Sequence, residues 1–246
     1  MKKEGYQPRA YRHWIEGKDL VSFNVKVKET DLYIRASSNL QRKAQRLVLK
    51  YRQQLEQYLE KNPEFQTSLK PLPIPTNAPH IVLDMLEAGR KASVGPMAAI
   101  AGAVAEYVGQ ELLKFSPEII VENGGDIFLK IKRKRVVGIY AGNSQLTGKL
   151  GLEINPADTP LGVCTSSGTV GHSFSFGKAD AVITVASSAS LADAAATAIC
   201  NQVKGPEDIS SAIELGLKID GLKGIVVIIG SAIGVWGDVK LCETNV

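Results

Sequence analysis

The stretch from residue 118 to residue 141, EIIVENGGDIFLKIKRKRVVGIYA, decides the fold class. It contains three short β-type runs, Ile119 to Val121, Asp126 to Ile131 and Val136 to Ala141, with only short turns between them. Strands at such close spacing are typical of an antiparallel sheet. We interpret the second turn as a solvated hairpin, because basic residues crowd into it. These residues are Lys130, Lys132, Arg133, Lys134 and Arg135.

The segments before this stretch predict a hairpin followed by helices. Leu20 to Lys28 and Leu32 to Ala36 alternate apolar and polar residues around a turn, which predicts two antiparallel strands. From Leu40 to Leu59, apolar residues recur at three- and four-residue steps, as on one face of an amphipathic helix. Two more helices are predicted, over Ile81 to Arg90 and from Gly95 to Phe115, after a proline-rich connector at residues 70–79.

The segments after it return to strands, then helices, then strands. This order predicts an α+β fold, with helices packed on antiparallel sheets, rather than strict β-α-β alternation. We expect residues 1–246 to form one domain. The predicted strands are Leu150 to Ile154, Gly162 to Thr165, Asp180 to Ala186, Gly224 to Ile229, Ala232 to Trp236 and Val239 to Cys242, and the helices are Leu191 to Val203 and Glu207 to Leu217.

The composition indicates the general class of protein but does not identify its function. Hydrophobic residues make up 44% and charged residues 22%, which is ordinary for a globular protein. Three widely spaced cysteines favour a reducing compartment, and the amino terminus has no secretory signal pattern, so we expect a cytoplasmic protein. The longest apolar run is broken by glycines and is too short to span a bilayer. The net charge of +4 comes without a basic helix or an aromatic stacking platform, so we expect no nucleic-acid partner.

The first candidate site is the turn between the first two β runs. Gly124 and Gly125 permit left-handed backbone or the close approach of a ligand, and Asn123 and Asp126 add an amide and a carboxylate. The same residues also make an ordinary hairpin turn. We keep both interpretations and take these four residues as candidates for ligand binding.

The second candidate site is residues 162–180, GVCTSSGTVGHSFSFGKAD, where hydroxyl side chains alternate with glycines. Such a loop can present many donors to an anion such as phosphate. The candidate binding residues are Thr165, Ser166, Ser167, Gly168 and Thr169. Cys164, His172 and Asp180 are the candidate catalytic residues, because a thiolate or a neutral-range imidazole can act as nucleophile, acid or base. A buried strand position explains Cys164 equally well.

The third candidate site is a helix face that carries Asp193, Thr197 and Asn201 at four-residue steps. A hard cation such as magnesium suits the carboxylate and the hydroxyl, provided that phosphate, carbonyl or water oxygens complete its shell. Alternatively, Asp193 closes the start of the helix in a capping box with Ser190.

These motifs resemble a known family. Gly124-Gly125-Asp126, the segment from Thr165 to Gly168, and Asp193-Ala-Ala-Ala-Thr197 stand in the same order as the Gly-Gly-Asp, Thr-Ser-Gly and Asp-x-x-x-Thr elements of ApbE-type FAD:protein FMN transferases. The resemblance spans about residues 94–203. It implies a T-fold-like ApbE-like architecture, with FAD or another nucleotide as ligand and Asp193 and Thr197 as magnesium ligands.

The chain also departs from the transferases. Residues 171–180 replace their His-x-x-Asp-Pro-x-Thr-Gly segment, and Ile100-Ala-Gly-Ala lacks their lysine, so the usual FMN transfer is not expected. The closer resemblance is to shorter, mostly uncharacterised ApbE-like proteins of archaea and bacteria, some of which are linked to sulfur assimilation into homocysteine.

Three hypotheses about function follow. The first is a transferase-like enzyme that binds a phosphate-bearing nucleotide or flavin with a divalent cation. The second is a thiol-dependent sulfur assimilation enzyme that uses Cys164. The third is a non-catalytic ligand-binding or assembly protein. We expect a small-molecule ligand as the partner and no membrane. The third hypothesis also allows an oligomer.

Overall fold

The computed structural model describes residues 10–17, 19–170 and 175–244. Its strands are β1 (Val21–Val27), β2 (Thr30–Ala36), β3 (Ile119–Asn123), β4 (Asp126–Lys130), β5 (Arg135–Gly138), β6 (Leu150–Ile154), β7 (Leu161–Ser166), β8 (Ala181–Ala186), β9 (Leu222–Ile229), β10 (Ala232–Gly237) and β11 (Leu241–Glu243). Its helices are α1 (Gln41–Lys61), α2 (Glu64–Thr67), α3 (His80–Ala92), α4 (Ile100–Leu112), α5 (Ala189–Gln202) and α6 (Ile209–Leu217). The α+β class is therefore confirmed.

The strands form two antiparallel sheets. The large sheet has eight strands in the order β1-β2-β3-β4-β7-β8-β9-β10, and the small sheet has the order β11-β6-β5. The predicted opening hairpin is confirmed, since Val21 pairs with Ala36 and Val27 with Thr30. Over the described residues, no helix combines the length and apolar character that a membrane span requires.

The large sheet separates two hydrophobic cores. Side chains alternate between the faces along a strand, so Ile119 and Val121 in β3 contact one core and Ile120 contacts the other. The helices cover the first face, here called the helix face, and the small sheet covers the second, the small-sheet face. Because β8 is buried on both faces, its sequence is apolar almost throughout.

The predicted hairpin between the second and third β runs is wrong. β4 pairs with β7 in the large sheet, whereas β5 pairs with β6 in the small sheet, so the basic cluster connects two sheets. Arg135 is buried at this crossing, where it forms ion pairs with Asp19 and Glu118. Alternation predicted these strands correctly, but it does not specify their partners.

The predicted helix from Gly95 to Phe115 is divided. A 3-10 turn at Pro96–Ala99 precedes α4. Gly102 in α4 lies so close to α5 that a Cβ atom there would collide with the carbonyl oxygen of Ala189. Close helix packing therefore explains this small residue.

Candidate functional site

The three candidate segments meet at one end of the large sheet. Ile127 in β4 pairs with Val163 in β7, and Thr165 pairs with Ile183 in β8. This antiparallel register brings the β3–β4 turn next to the end of β7 and the start of β8. α5 packs across β7 and β8 on the helix face, and so adds the third segment to the same region.

The β3–β4 turn is tied to the start of α4. Gly124 and Gly125 have φ angles of 71° and 110°, a left-handed backbone that side chains disfavour. The Asn123 amide donates to the carbonyl oxygen of Ala101 at 3.0 Å. The Gly125 N–H donates to the Glu122 carboxylate at 2.8 Å. The turn therefore fixes where β4 begins, and with it the position of Asp126.

Asp126 is a buried carboxyl group with few donors. Its relative exposure is 4%, and Oδ1 accepts a hydrogen bond from the backbone N–H of Thr165 at 3.2 Å. Burial raises the pKa of Asp126 to about 7, and the charge of Glu122 adds to the shift. The group therefore titrates close to neutral pH.

Asp193 lies against the same space from α5. Its Oδ2 accepts from the backbone N–H of Gly102 at 2.8 Å. Burial, followed by the charge of Asp126, raises the pKa of Asp193 well above its usual value. Asp126 therefore lies near enough to Asp193 for its charge to raise the pKa of this half-buried group.

The predicted capping role of Asp193 is wrong. α5 begins at Ala189, and its N-cap is Ser188, whose hydroxyl oxygen accepts from the Leu191 N–H at 3.3 Å. Asp193 therefore lies in the second turn of the helix, beyond the capping positions. Its carboxylate faces the start of α4 instead.

Cys164 lies close enough to both carboxyl groups to be affected by their charges. It is fully buried, and its thiol donates to the carbonyl oxygen of Ala189 at 3.3 Å. Burial and the charges of Asp126 and Asp193 raise the pKa of this thiol well above its usual value. Since the thiolate is the nucleophile, these surroundings disfavour thiol chemistry at Cys164.

The predicted hydroxyl residues divide between the two faces of the sheet. Thr197 is half-buried one turn after Asp193 in α5. Ser166 follows Cys164 on the helix face; its hydroxyl is buried, with no hydrogen-bond partner of good geometry in the described part of the chain. The Thr165 side chain alternates to the small-sheet face, so only its backbone N–H reaches Asp126.

The described part of the glycine-rich loop satisfies its own donors. Ser167 Oγ accepts from the backbone N–H groups of Thr169 at 3.1 Å and Val170 at 2.9 Å. The Gly168 N–H donates to the carbonyl oxygen of Ala179 at 2.9 Å. The sequence suggested that this loop presents donors to a phosphate. These three N–H groups, however, already donate within the protein.

Asp180 anchors this loop. Its carboxylate accepts from the Thr169 hydroxyl at 3.1 Å and from the Gly230 N–H in the β9–β10 turn at 2.7 Å. The contacts place Asp180 in a structural role next to the site. His172, the candidate acid or base, lies outside the described residues.

Sequence reasoning missed one charged group here. Glu106 in α4 is buried, and its Oε2 accepts from Ser188 Oγ at 3.0 Å and from the N–H groups of Ala189 at 2.8 Å and Ser190 at 3.2 Å. Burial raises the pKa of Glu106. A lone acid within the apolar run IAGAVAEYVG was the available signal.

The oxygen ligands for a cation are few. Within residues 10–17, 19–170 and 175–244, no cluster of three His, Cys, Asp or Glu side chains has metal-binding geometry. The site offers instead two carboxyl groups, Asp126 and Asp193, with Thr197 one helical turn away. Among the residues that the structure describes, no lysine or arginine contributes to the pKa shift of either carboxyl group.

Comparison with known proteins gives a consistent picture. A family model described as "AbpE bacteria" matches residues 12–233. The UPF0280 protein of Methanocaldococcus jannaschii is 44% identical over 226 residues, which cover 89% of this chain and 92% of that protein. The UPF0280 protein of Methanothermobacter thermautotrophicus is 47% identical over 196 residues, covering 77% and 75%.

Solved structures of the same fold include two flavin transferases. The apo form of the Pseudomonas stutzeri flavinyl transferase ApbE superposes with a TM-score of 0.56 at 13% identity, covering 88% of this chain and 93% of that one. The flavin transferase ApbE from Vibrio cholerae gives a TM-score of 0.50 at 12% identity, covering 88% and 96%. At these identities the likeness extends to the fold alone.

Proposed function

The chain belongs to the ApbE-like family, and we propose that it binds a flavin or another nucleotide diphosphate through a divalent cation held at Asp193. One observation carries the proposal: the charge of the buried Asp126 raises the pKa of the half-buried Asp193, and no basic side chain among the described residues offsets the pKa shift of either carboxyl group. A divalent cation would relieve this repulsion and return both groups to the charged form. The donor set, two carboxylates and the Thr197 hydroxyl, is the hard oxygen type that magnesium prefers.

The ligand class follows from the same charges. Neither carboxyl group attracts a free phosphate, and the N–H groups of Gly168, Thr169 and Val170 already donate within the protein. Phosphate oxygens would therefore bind here as further ligands of the cation. The protein would then supply only part of the cation's coordination shell, and the phosphate oxygens would supply further ligands. It also makes nucleotide binding dependent on the metal.

The roles of the other residues are limited by their contacts. Asn123 and the two turn glycines position Asp126, whereas Asp180 and Ser167 hold the loop. A bound cation would supply positive charge that offsets the negative charge of phosphate oxygens during group transfer. The transferase-like chemistry that the family suggests, and its acid or base, remain a prediction centred on His172.

The proposal is tested by calorimetric titration of the purified protein with FAD, with and without magnesium. We expect FAD to bind in about 5 mM magnesium and to lose at least about tenfold in affinity in EDTA. Asp193→Asn should show the same loss. Asp220→Asn, which alters an exposed carboxylate in a surface pair with Lys91, is the matched control and should bind normally.

The outcomes separate the hypotheses. FAD and ADP binding that is unchanged by EDTA and by Asp193→Asn would overturn the metal-dependent site. A ligand that is held but never turned over in the presence of magnesium would identify a binding protein. Rapid, selective alkylation of Cys164 would return the thiol enzyme to consideration, against the burial of its sulfur.

A further inference from the structure

Three aromatic rings gather beside the candidate site on the small-sheet face. Tyr11 stacks on Tyr140 with ring centroids 5.4 Å apart and an angle of 22° between the planes. Trp14 meets Tyr140 edge-on at 5.6 Å and 67°. All three residues are half-buried, so part of each remains at the surface. We call Tyr11, Trp14 and Tyr140 the aromatic cluster.

The amino-terminal side of the cluster is joined to the β3–β4 turn. Arg12 is buried, and its Nε lies 2.7 Å from Oε2 of Glu122, the last acid before the turn. The other carboxylate oxygen of Glu122 accepts from the Gly125 N–H. Arg12 also forms an ion pair with Asp31 at 3.1 Å. The two ion pairs of Arg12 therefore fix the backbone next to Tyr11.

The opposite side of the cluster is joined to the glycine-rich loop. Two residues after Tyr140, Gly142 has a φ of 50°, and a Cβ built on it would lie 2.5 Å from Val170 Cγ2 and 3.4 Å from Thr169 Oγ1. The backbone beside Tyr140 therefore lies directly against the loop. The cluster is therefore linked to both segments, to the β3–β4 turn through Arg12 and to the glycine-rich loop through Gly142.

We propose that the aromatic cluster is the subsite for the flat heteroaromatic ring of the nucleotide whose diphosphate binds through the cation. Stacking on half-exposed aromatic rings is favourable for any flat π-system, because every such system presents a π-face. In this arrangement the dinucleotide passes over the strand ends, from the cation on the helix face to the aromatic cluster on the small-sheet face. This inference rests on the proposed function, because it names where the ring of that ligand binds.

The experiment uses Trp14 as the reporter. The chain has two tryptophans, so Trp236→Phe leaves Trp14 as the sole emitter, and Trp14→Phe leaves Trp236 as the matched control. FAD with magnesium is titrated into both variants while calorimetry follows binding. We expect the emission of Trp14 to fall in proportion to saturation. The control should lose only the signal explained by absorbance of the flavin.

A second pair of variants separates ring recognition from support of the fold. Tyr140→Leu should weaken FAD binding about tenfold, whereas Tyr140→Phe should bind as wild type. Magnesium pyrophosphate, a probe with no ring, should bind Tyr140→Leu as well as wild type. A merely structural role would weaken both ligands together.

The two proposals fail in different ways. If FAD binds by calorimetry but Trp14 does not respond and Tyr140→Leu keeps wild-type affinity, the ring subsite is wrong and the cation site stands. If neither FAD nor magnesium pyrophosphate binds wild type, the proposed function is wrong and the subsite falls with it.

Discussion

Glu106, which is buried, and Asp193, which is half-buried, are acids on adjacent helices with opposite surroundings. Each accepts a backbone N–H from the beginning of the other helix: Glu106 in α4 from Ala189 and Ser190, and Asp193 in α5 from Gly102. Glu106 also accepts from the Ser188 hydroxyl, whereas Asp193 faces the charge of Asp126. The comparison teaches that the donors around Glu106 suit a role in supporting the fold, whereas Asp193 has the surroundings that the proposed cation would neutralise.

The largest expected effect is the loss of stability on removing Glu106. Glu106→Ala leaves the donors at the start of α5 without an acceptor and opens a small cavity, so we expect a loss of about 2 to 4 kcal/mol in the free energy of unfolding. Differential scanning calorimetry should show the melting temperature falling by about 4 to 16 °C. Glu106→Gln keeps an acceptor oxygen and serves as the control. An unchanged melting temperature in Glu106→Ala would contradict the structural role.

Removing the charge of Asp193 should have the opposite pattern. Asp193→Asn keeps the side-chain shape and the acceptor for Gly102, but it deletes a proposed metal ligand. We expect magnesium-dependent FAD affinity to fall about 100-fold, which corresponds to roughly 2.7 kcal/mol. The melting temperature at pH 8 should stay level or rise, because repulsion from Asp126 is removed. Unfolding of the variant at room temperature would rule out this assignment.

Much of this site could be predicted from local sequence, and its central contact could not. Glycines at 124 and 125 and the apolar runs around them indicate a turn between strands, because left-handed backbone and alternation are local properties. The four-residue spacing also predicted Asp193 and Thr197 on one face of a helix, and the resemblance implied their role as magnesium ligands. The approach of Asp126 to Asp193 depends instead on how α5 packs on β7, a contact between distant parts of the chain.

Two errors have the same physical origin. β4 and β5 were each predicted as strands, but hydrogen bonding between strands is decided by the sheets that β7 and β6 build around them. At α5, Ser188 and Ser190 are both suitable caps, and the sequence alone favoured Ser190 with Asp193. Packing of Glu106 against residues 188–190 favours the earlier start.

Asp126 provides a test of the carboxyl pair through pH. Its folded pKa, about 7, lies above the ordinary value of 3.8, so between these values the unfolded chain releases a proton that the folded protein retains. Stability that depends on this group is therefore present at low pH and is lost as the pH rises towards 7. Asp126→Asn should not lose it, and should be more stable than wild type at pH 8 by about 1 to 3 kcal/mol.

Urea unfolding at pH 5 and pH 8 without divalent cations measures this difference. The gap between wild type and Asp126→Asn should widen from the lower to the higher pH. Glu207→Gln, which changes an exposed acid, should follow wild type at both. A constant gap would mean that the pKa of Asp126 is not raised.

The smallest expected effect tests whether Thr197 in α5 is a ligand of the proposed cation. Thr197 lies one turn beyond Asp193, is half-buried, and contributes a neutral oxygen rather than a charge. Losing a neutral ligand costs less than losing a carboxylate, so Thr197→Val should weaken magnesium-dependent FAD binding about fivefold, or roughly 1 kcal/mol. Thr197→Ser keeps the hydroxyl and should restore wild-type affinity. Calorimetric titrations with and without EDTA distinguish this from a packing effect, since a hydroxyl that only packs would alter binding equally in both. Equal affinities for Thr197→Val and wild type in magnesium would remove Thr197 from the cation site and leave the two carboxylates as its protein ligands.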